Sequence, residues 1–276
     1  MPHCRSPERR LFRAQDYFPT YRCRPCEGYY TLLTGTVFEK TRQRPATLVL
    51  LLRGIAKGEP MARLARELGL SRKQLHTLRQ RIQTRLNASA PTDVMVGTAF
   101  EADEWYQNAG EKSTPHCDPN DPPRRRANKR KGHGTYANDR PPIISIISRE
   151  TGEQRFWVGD HADRRTCHGL IIENLPAGST QLYIDEWQSY WGSHPAHATV
   201  RHGVHEWARD DDDGDGRCEV HCNSCEGAGA ALRTYLRAFR GVHKQYLHLY
   251  VVAYEAMVNA KRITPDLIRR MCLDDL

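Results

Sequence analysis

The stretch "QLYIDEWQSYW", residues 181–191, decides the fold. It reads as a short buried strand that stops on Asp185 and runs into a second acid and an aromatic helix. A buried strand ending on a carboxylate is unusual in a chain of net charge +8, and it leads us to read Asp185 as one of a set of metal-binding acids. The other members follow from the pattern on either side.

Upstream, "DVMVGTAFEADEW" (93–105) reads as a strand carrying Asp103, and "PIISIIS" (142–148) and "QRFWVG" (154–159) read as a hairpin around the turn "RETGE". A helix over about 163–175 follows, broken at Pro176 and Gly178, and then the strand that ends at Asp185. Downstream, two helices are expected over about 223–240 and 243–260, the first bearing Glu226 in its opening turn. This order of elements is that of a ribonuclease-H-like α/β fold, a mixed sheet with flanking helices. Its first and fourth strands lie side by side, so Asp103 and Asp185 should meet, and the late helix should bring Glu226 over the same end of the sheet. Clustered carboxylates repel one another unless cations separate them. Mg²⁺ or Mn²⁺ suits such a site, because hard divalent ions take a few carboxylates together with phosphate oxygens. Each acid also has a plainer reading. Asp103 and Glu104 could be surface charges, Asp185 could cap the helix after it, and "NSCE" (223–226) fits a capping-box pattern for Glu226.

The N-terminal third has a different character. "YRCRPCEGYY" (21–30) sets Cys23 and Cys26 two residues apart in a basic, aromatic strand, like one knuckle of a zinc ribbon. The second knuckle has only Cys4, with Met1 where a fourth thiolate would stand, so any Zn²⁺ site there is incomplete. From 45 to 88 the pattern turns helical: Pro45 opens one helix and Gly58 closes it, and Leu64, Ala65, Leu68, Leu75, Leu78 and Ile82 fall on faces that can pack together. Gly69 and Ser71 supply a turn and an N-cap, giving a helix-turn-helix whose second helix carries Arg72, Lys73, His76, Arg79 and Arg81 toward solvent for contact with DNA. The domains expected are 1–44 (ribbon-like), 45–90 (helix-turn-helix) and 91–276 (the α/β core).

Composition narrows the partners. Forty-one Lys and Arg against 33 Asp and Glu make a polyanion the expected partner. "PPRRRANKRKGHG" (122–134) concentrates this charge, with Arg124, Arg125, Arg126, Lys129, Arg130 and Lys131 as expected phosphate contacts. No apolar run reaches the ~18 residues of a membrane span and no signal peptide is apparent, so a cytoplasmic protein with no membrane role is expected. Nine cysteines, an odd number, argue against a disulfide framework. "DDDDGDGRCEVHC" (210–222) has the early spacing of an EF-hand but puts Cys222 where the bidentate Glu belongs, and no helix pair flanks it, which argues against calcium binding there. Cys218, Cys222 and Cys225 read as buried or incidental cysteines rather than as a zinc site with His221, which is expected instead near the metal or the DNA.

Taken in order, "ADEWYQNAGEK", "GHGTYANDRPP", "YIDEW" and "VHCNSCEGAGAALRTYLRAFRG" resemble the successive blocks of bacterial insertion-sequence transposases with a zinc ribbon, a helix-turn-helix and a DDE integrase core. The resemblance spans nearly the whole chain. It implies Asp103, Asp185 and Glu226 as catalytic residues and divalent-metal ligands, and a metal-dependent cleavage and joining of double-stranded DNA at the element's own ends, by a homo-oligomer assembled on that DNA. It also places Cys4, Cys23 and Cys26 on zinc-ligand positions. The sequence departs from the pattern at Met1 and at Gly229, where related proteins often carry a bulky aromatic. Two alternatives stay open: a metal-dependent structure-selective nuclease on the same fold, or a DNA-binding regulator with an inactive core.

Overall fold

The computed structural model describes residues 4–110, 132–178, 180–211 and 213–273, which fall into two units. The first comprises the described residues up to Ala90 together with those from Ala260 onward, and the second runs from Pro91 to Asn259.

The first unit opens with a three-stranded antiparallel sheet of β1 (Arg9–Arg13), β2 (Thr20–Cys23) and β3 (Tyr29–Tyr30). Three helices follow: α1 (Pro45–Ala56), α2 (Met61–Leu68) and α3 (Arg72–Ala88). Pro45 sits at the start of α1, where its missing N–H costs nothing. Gly69 ends α2 in the left-handed conformation, with φ +64°, and so turns the chain into α3. Ser71 occupies the N-cap position of α3 but makes no side-chain cap. Leu64, Ala65, Leu75, Leu78 and Ile82 are buried as expected, and Leu68 is half-buried. Arg79 corrects the expectation of a solvent-facing basic row. It is 1% exposed, and its guanidinium donates to the carbonyl of Glu59.

A last helix, α7 (Pro265–Cys272), belongs to this same unit, whereas the sequence reading assigned 260–276 to the α/β core. Thr264 caps it by accepting from the Leu267 N–H at 3.2 Å. It is tied to the unit by the Arg270 guanidinium on the Ser89 carbonyl at 3.0 Å, and by the Val37 N–H on the Cys272 carbonyl at 2.9 Å.

The second unit is a five-stranded mixed sheet with helices on both faces. Its strands are β4 (Ala99–Tyr106), β5 (Pro142–Ser148), β6 (Gln154–Val158), β7 (Gln181–Ile184) and β8 (His197–Thr199), in the order β6-β5-β4-β7-β8. β4 and β5 pair antiparallel along their whole length, while β4–β7 and β7–β8 are parallel. α4 (Arg164–Asn174) packs on one face, and α5 (Asn223–Arg237) and α6 (Lys244–Ala260) on the other. The uniformly buried β5, four of whose seven residues are isoleucine, follows from this layering. Ile144 and Ile146 join Phe100, Leu182 and Ile171 on the α4 side, while Ile143 and Ile147 join Trp105, Leu232 and Val251 on the other. The aromatic run after Asp185 forms only a single 3₁₀ turn, Gln188–Tyr190, not the helix its composition suggested.

Candidate metal centre

The register of the sheet builds the site. β4 and β7 pair in parallel through Glu101 and Tyr183, and two residues further on each chain segment carries an aspartate, Asp103 and Asp185. Because side chains alternate along a strand, Glu101, Asp103 and Trp105 point to the α5 side, whereas Phe100 and Ala102 fill the α4 side. Glu104 follows the second direction. At the end of the pairing, oxygens of Asp103, Glu104 and Asp185 nevertheless come within 4.8 Å of one another.

This crowding is visible in the proton affinities. Burial, then the charge of Asp185, pushes Asp103 up to about 7, with a smaller push from Glu226. Burial, then Asp185 and Asp103, pushes Glu104 up to about 9. Asp185 is raised chiefly by burial, against the Trp187 N–H that its Oδ1 accepts at 2.9 Å. That bond realises part of the plainer reading, since Asp185 does organise the turn after it. Glu104 Oε2 is buried and has no hydrogen-bond partner among the described residues. A cluster of oxygens that raise one another's proton affinity, with one oxygen orphaned, suits a hard divalent cation and not a soft one.

Glu226 lies in the first turn of α5, close enough for its charge to act on Asp103 but outside the group within 4.8 Å. It does not close a capping box. The N-cap residue Cys222 makes no side-chain cap, and Glu226 stands half-exposed with His202 Nε2 at 3.9 Å from its Oε1. His202, which the sequence reading passed over, also eases the charge on Asp185. Over the same end of the sheet His133 stacks on Trp187 at 4.2 Å between ring centroids and meets the Tyr106 hydroxyl at 2.9 Å.

The other sequence candidates are dispersed. Cys4, Cys23 and Cys26 bring their sulfurs within 4.8 Å of one another, Cys4 and Cys23 at 3.3 Å. The backbone of Ser6 and the two neighbouring thiols hold Cys4 below its ordinary value. Met1 lies outside the described residues, as do Arg124, Arg125, Arg126, Lys129, Arg130 and Lys131. Arg72, Lys73, His76 and Arg81 are exposed on α3, and Arg79 is not. Cys222 and Cys225 are buried, and Cys218 is exposed. Among the described residues, no helix is long and apolar enough to cross a membrane.

No protein-family model matches the chain. It is 29% identical over 259 residues to a protein in transposable element ISH50 of Halobacterium salinarum, a match covering 92% of this chain and 83% of that one. Solved structures similar to it include a Mos1 transposase paired-end complex with left transposon end (12% identity, TM-score 0.21, 56% of each chain) and a pre-cleavage Mos1 transpososome (8% identity, TM-score 0.24, 80% of this chain and 78% of that one). The chain therefore spans little more than half the length of the first of these. Along nearly its whole length it is homologous to a protein of a transposable element.

Proposed function

We propose that this chain is a DNA transposase that binds the ends of its own insertion sequence, cleaves them and joins them to target DNA. The observation that carries the reading is the meeting of Asp103 and Asp185 at the ends of adjacent parallel strands, with Glu226 on the helix above. The strand order around them fits the ribonuclease-H-like core anticipated from the sequence. The homologue in a transposable element supports the same reading.

Asp103, Glu104 and Asp185 would hold a divalent cation, with Glu226 completing the set. When bound, such a cation supplies charge neutralisation at a phosphodiester and activation of an oxygen nucleophile. The protein's own part is to keep the carboxylates close; Asp103 and Glu104 would give up their protons to solvent as the cation arrives. In the first unit, Arg72, Lys73 and His76 on α3 would contact the element's ends, and the Cys4, Cys23 and Cys26 thiols would hold zinc structurally; the basic segment 124–131, between β4 and β5 in sequence, would add phosphate contacts in any sequence.

The test uses Asp103→Asn, Asp185→Asn and Glu226→Gln, which remove charge and keep shape. Each should abolish Mg²⁺-dependent end cleavage and strand transfer, with DNA affinity retained in gel-shift assays. Full activity in any one of them removes that residue from the site.

A further inference from the structure

Two residues before Asp103, between Phe100 and Ala102 in β4, Glu101 is fully buried. Each of its oxygens accepts two hydrogen bonds, and His221 Nδ1 also stands 3.3 Å from Oε1. Oε2 accepts the backbone N–H groups of Ser224 at 2.7 Å and Cys225 at 3.1 Å. Oε1 accepts the Ser224 hydroxyl at 2.9 Å and Arg149 Nε at 2.8 Å. Arg149 in turn donates to the carbonyls of Glu219 at 2.7 Å and His221 at 2.8 Å, and its guanidinium lies 3.7 Å over the Tyr183 ring. A buried carboxylate is costly unless charge and hydrogen bonds compensate it, and here both do.

The donors explain the arrangement. The opening N–H groups of a helix need acceptors from outside it, and Cys222 at the N-cap of α5 supplies no side-chain cap. Glu101 provides that cap across 123 residues of sequence. It therefore fastens the first turn of α5 to β4, and the residue directly after its two backbone donors is Glu226.

We propose that Glu101 is a positioning residue of the carboxylate site: by capping α5 from within β4 it sets where Glu226 stands relative to Asp103 and Asp185. Arg149 holds Glu101 and the segment leading into α5 in the same frame. The proposal rests on the reading of Glu226 as a cation ligand.

The experiment is a double-variant cycle on the full chain without DNA, reading Mn²⁺ binding by paramagnetic resonance alongside thermal melting. Glu226→Gln should raise the Mn²⁺ concentration at half-saturation. Glu101→Gln should raise it by about 10- to 100-fold, the usual loss when a group that orients a metal ligand is removed. The two together should do no more than Glu226→Gln alone, because Glu101 acts through Glu226. A general loosening of the fold would add to the Glu226 effect instead. Additive effects, or wild-type Mn²⁺ binding in Glu101→Gln beside weakened binding in Glu226→Gln, would overturn the positioning role. Unchanged binding in Glu226→Gln itself would remove the ligand reading and the proposal with it. If Glu101→Gln does not fold, Ser224→Ala takes its place in the cycle. It removes one bond of the cap and should give a smaller effect, still absent in the Glu226→Gln background.

Discussion

Gly229 on α5 lies against the indole of Trp105 on β4: a Cβ at position 229 would stand 3.3 Å from Trp105 Cε3. The bare backbone lets the helix come down onto the strand that carries Asp103. Gly229→Phe should therefore overpack the contact and cost about 1–3 kcal/mol in urea unfolding. Gly229→Ala should stay within about 1 kcal/mol, since better helix propensity offsets a tight methyl. Pairing Gly229→Phe with Trp105→Ala should recover part of the loss, and no recovery would show that the two residues do not share that space.

The carboxylate cluster should make the cation-free protein less stable as pH rises. Asp103 and Glu104 hold protons up to about 7 and about 9 in the folded chain, against ordinary values of 3.8 and 4.5. Between those limits the folded state binds more protons than the unfolded one, so unfolding free energy falls with pH; the advantage is full below about 4 and gone above about 9. Melting temperature without divalent ions should drop by several degrees across that window, and Mg²⁺ or Mn²⁺ should flatten the slope. Asp103→Asn with Glu104→Gln should remove most of it, leaving the smaller contribution of Asp185, whose carboxyl is also raised by burial. A cation-free melt independent of pH in the wild-type chain would contradict the cluster.

Arg79 and Arg72 should separate stability from DNA binding. Arg79→Ala leaves the Glu59 carbonyl without its buried donor, and about 1–3 kcal/mol of stability should be lost from the first unit. Arg72→Ala and Lys73→Ala, on the exposed face, should leave melting unchanged and lower affinity for the element's ends in gel shifts. Equal melting for all three would remove the distinction.

The three gathered thiols should bind zinc, but less tightly than a closed site. Cys4→Ser, Cys23→Ser and Cys26→Ser should each lower bound metal, read as thiolate-to-cobalt absorption after Co²⁺ substitution. Met1→Cys behind an added initiator methionine should raise affinity by supplying a fourth thiolate. Equal, stoichiometric zinc in that variant and in the natural chain would show that another residue already closes the site.

Four of the five strands were legible because each carries its own signal, among them the isoleucine-rich β5, the turn "RETGE" and the break at Pro176 and Gly178 before β7, whereas the three-residue β8 is too short to show a period. Asp185 stood out for the same reason, as a charge ending an apolar run. Glu104 was hidden by the alternation rule itself, which sends it to the face opposite Asp103; only at the end of the strand pairing do the two side chains reach one space. Arg79 sits where the helical period runs from apolar to basic, and its burial depends on a carbonyl 20 residues away that no periodicity encodes. The apolar face of α7 is plain in Leu267 and Met271, but which unit it would cover is a tertiary matter. Glu101 did carry a signal. A glutamate between Phe100 and Ala102, inside a strand, has to find partners, and those partners are the start of the helix that bears Glu226.

α7 gives synthesis and folding different orders. A ribosome completes the whole α/β sheet before it makes the helix that packs beside α3 and meets Ser89 and Val37. Until then the nascent first unit lacks one of its own walls, with the apolar residues that α7 will cover still open to water. The second unit waits on no later segment, since its five strands and α4 to α6 all precede α7 in the chain. The unit proposed to grip DNA is thus the one that both opens the chain and depends on its last helix.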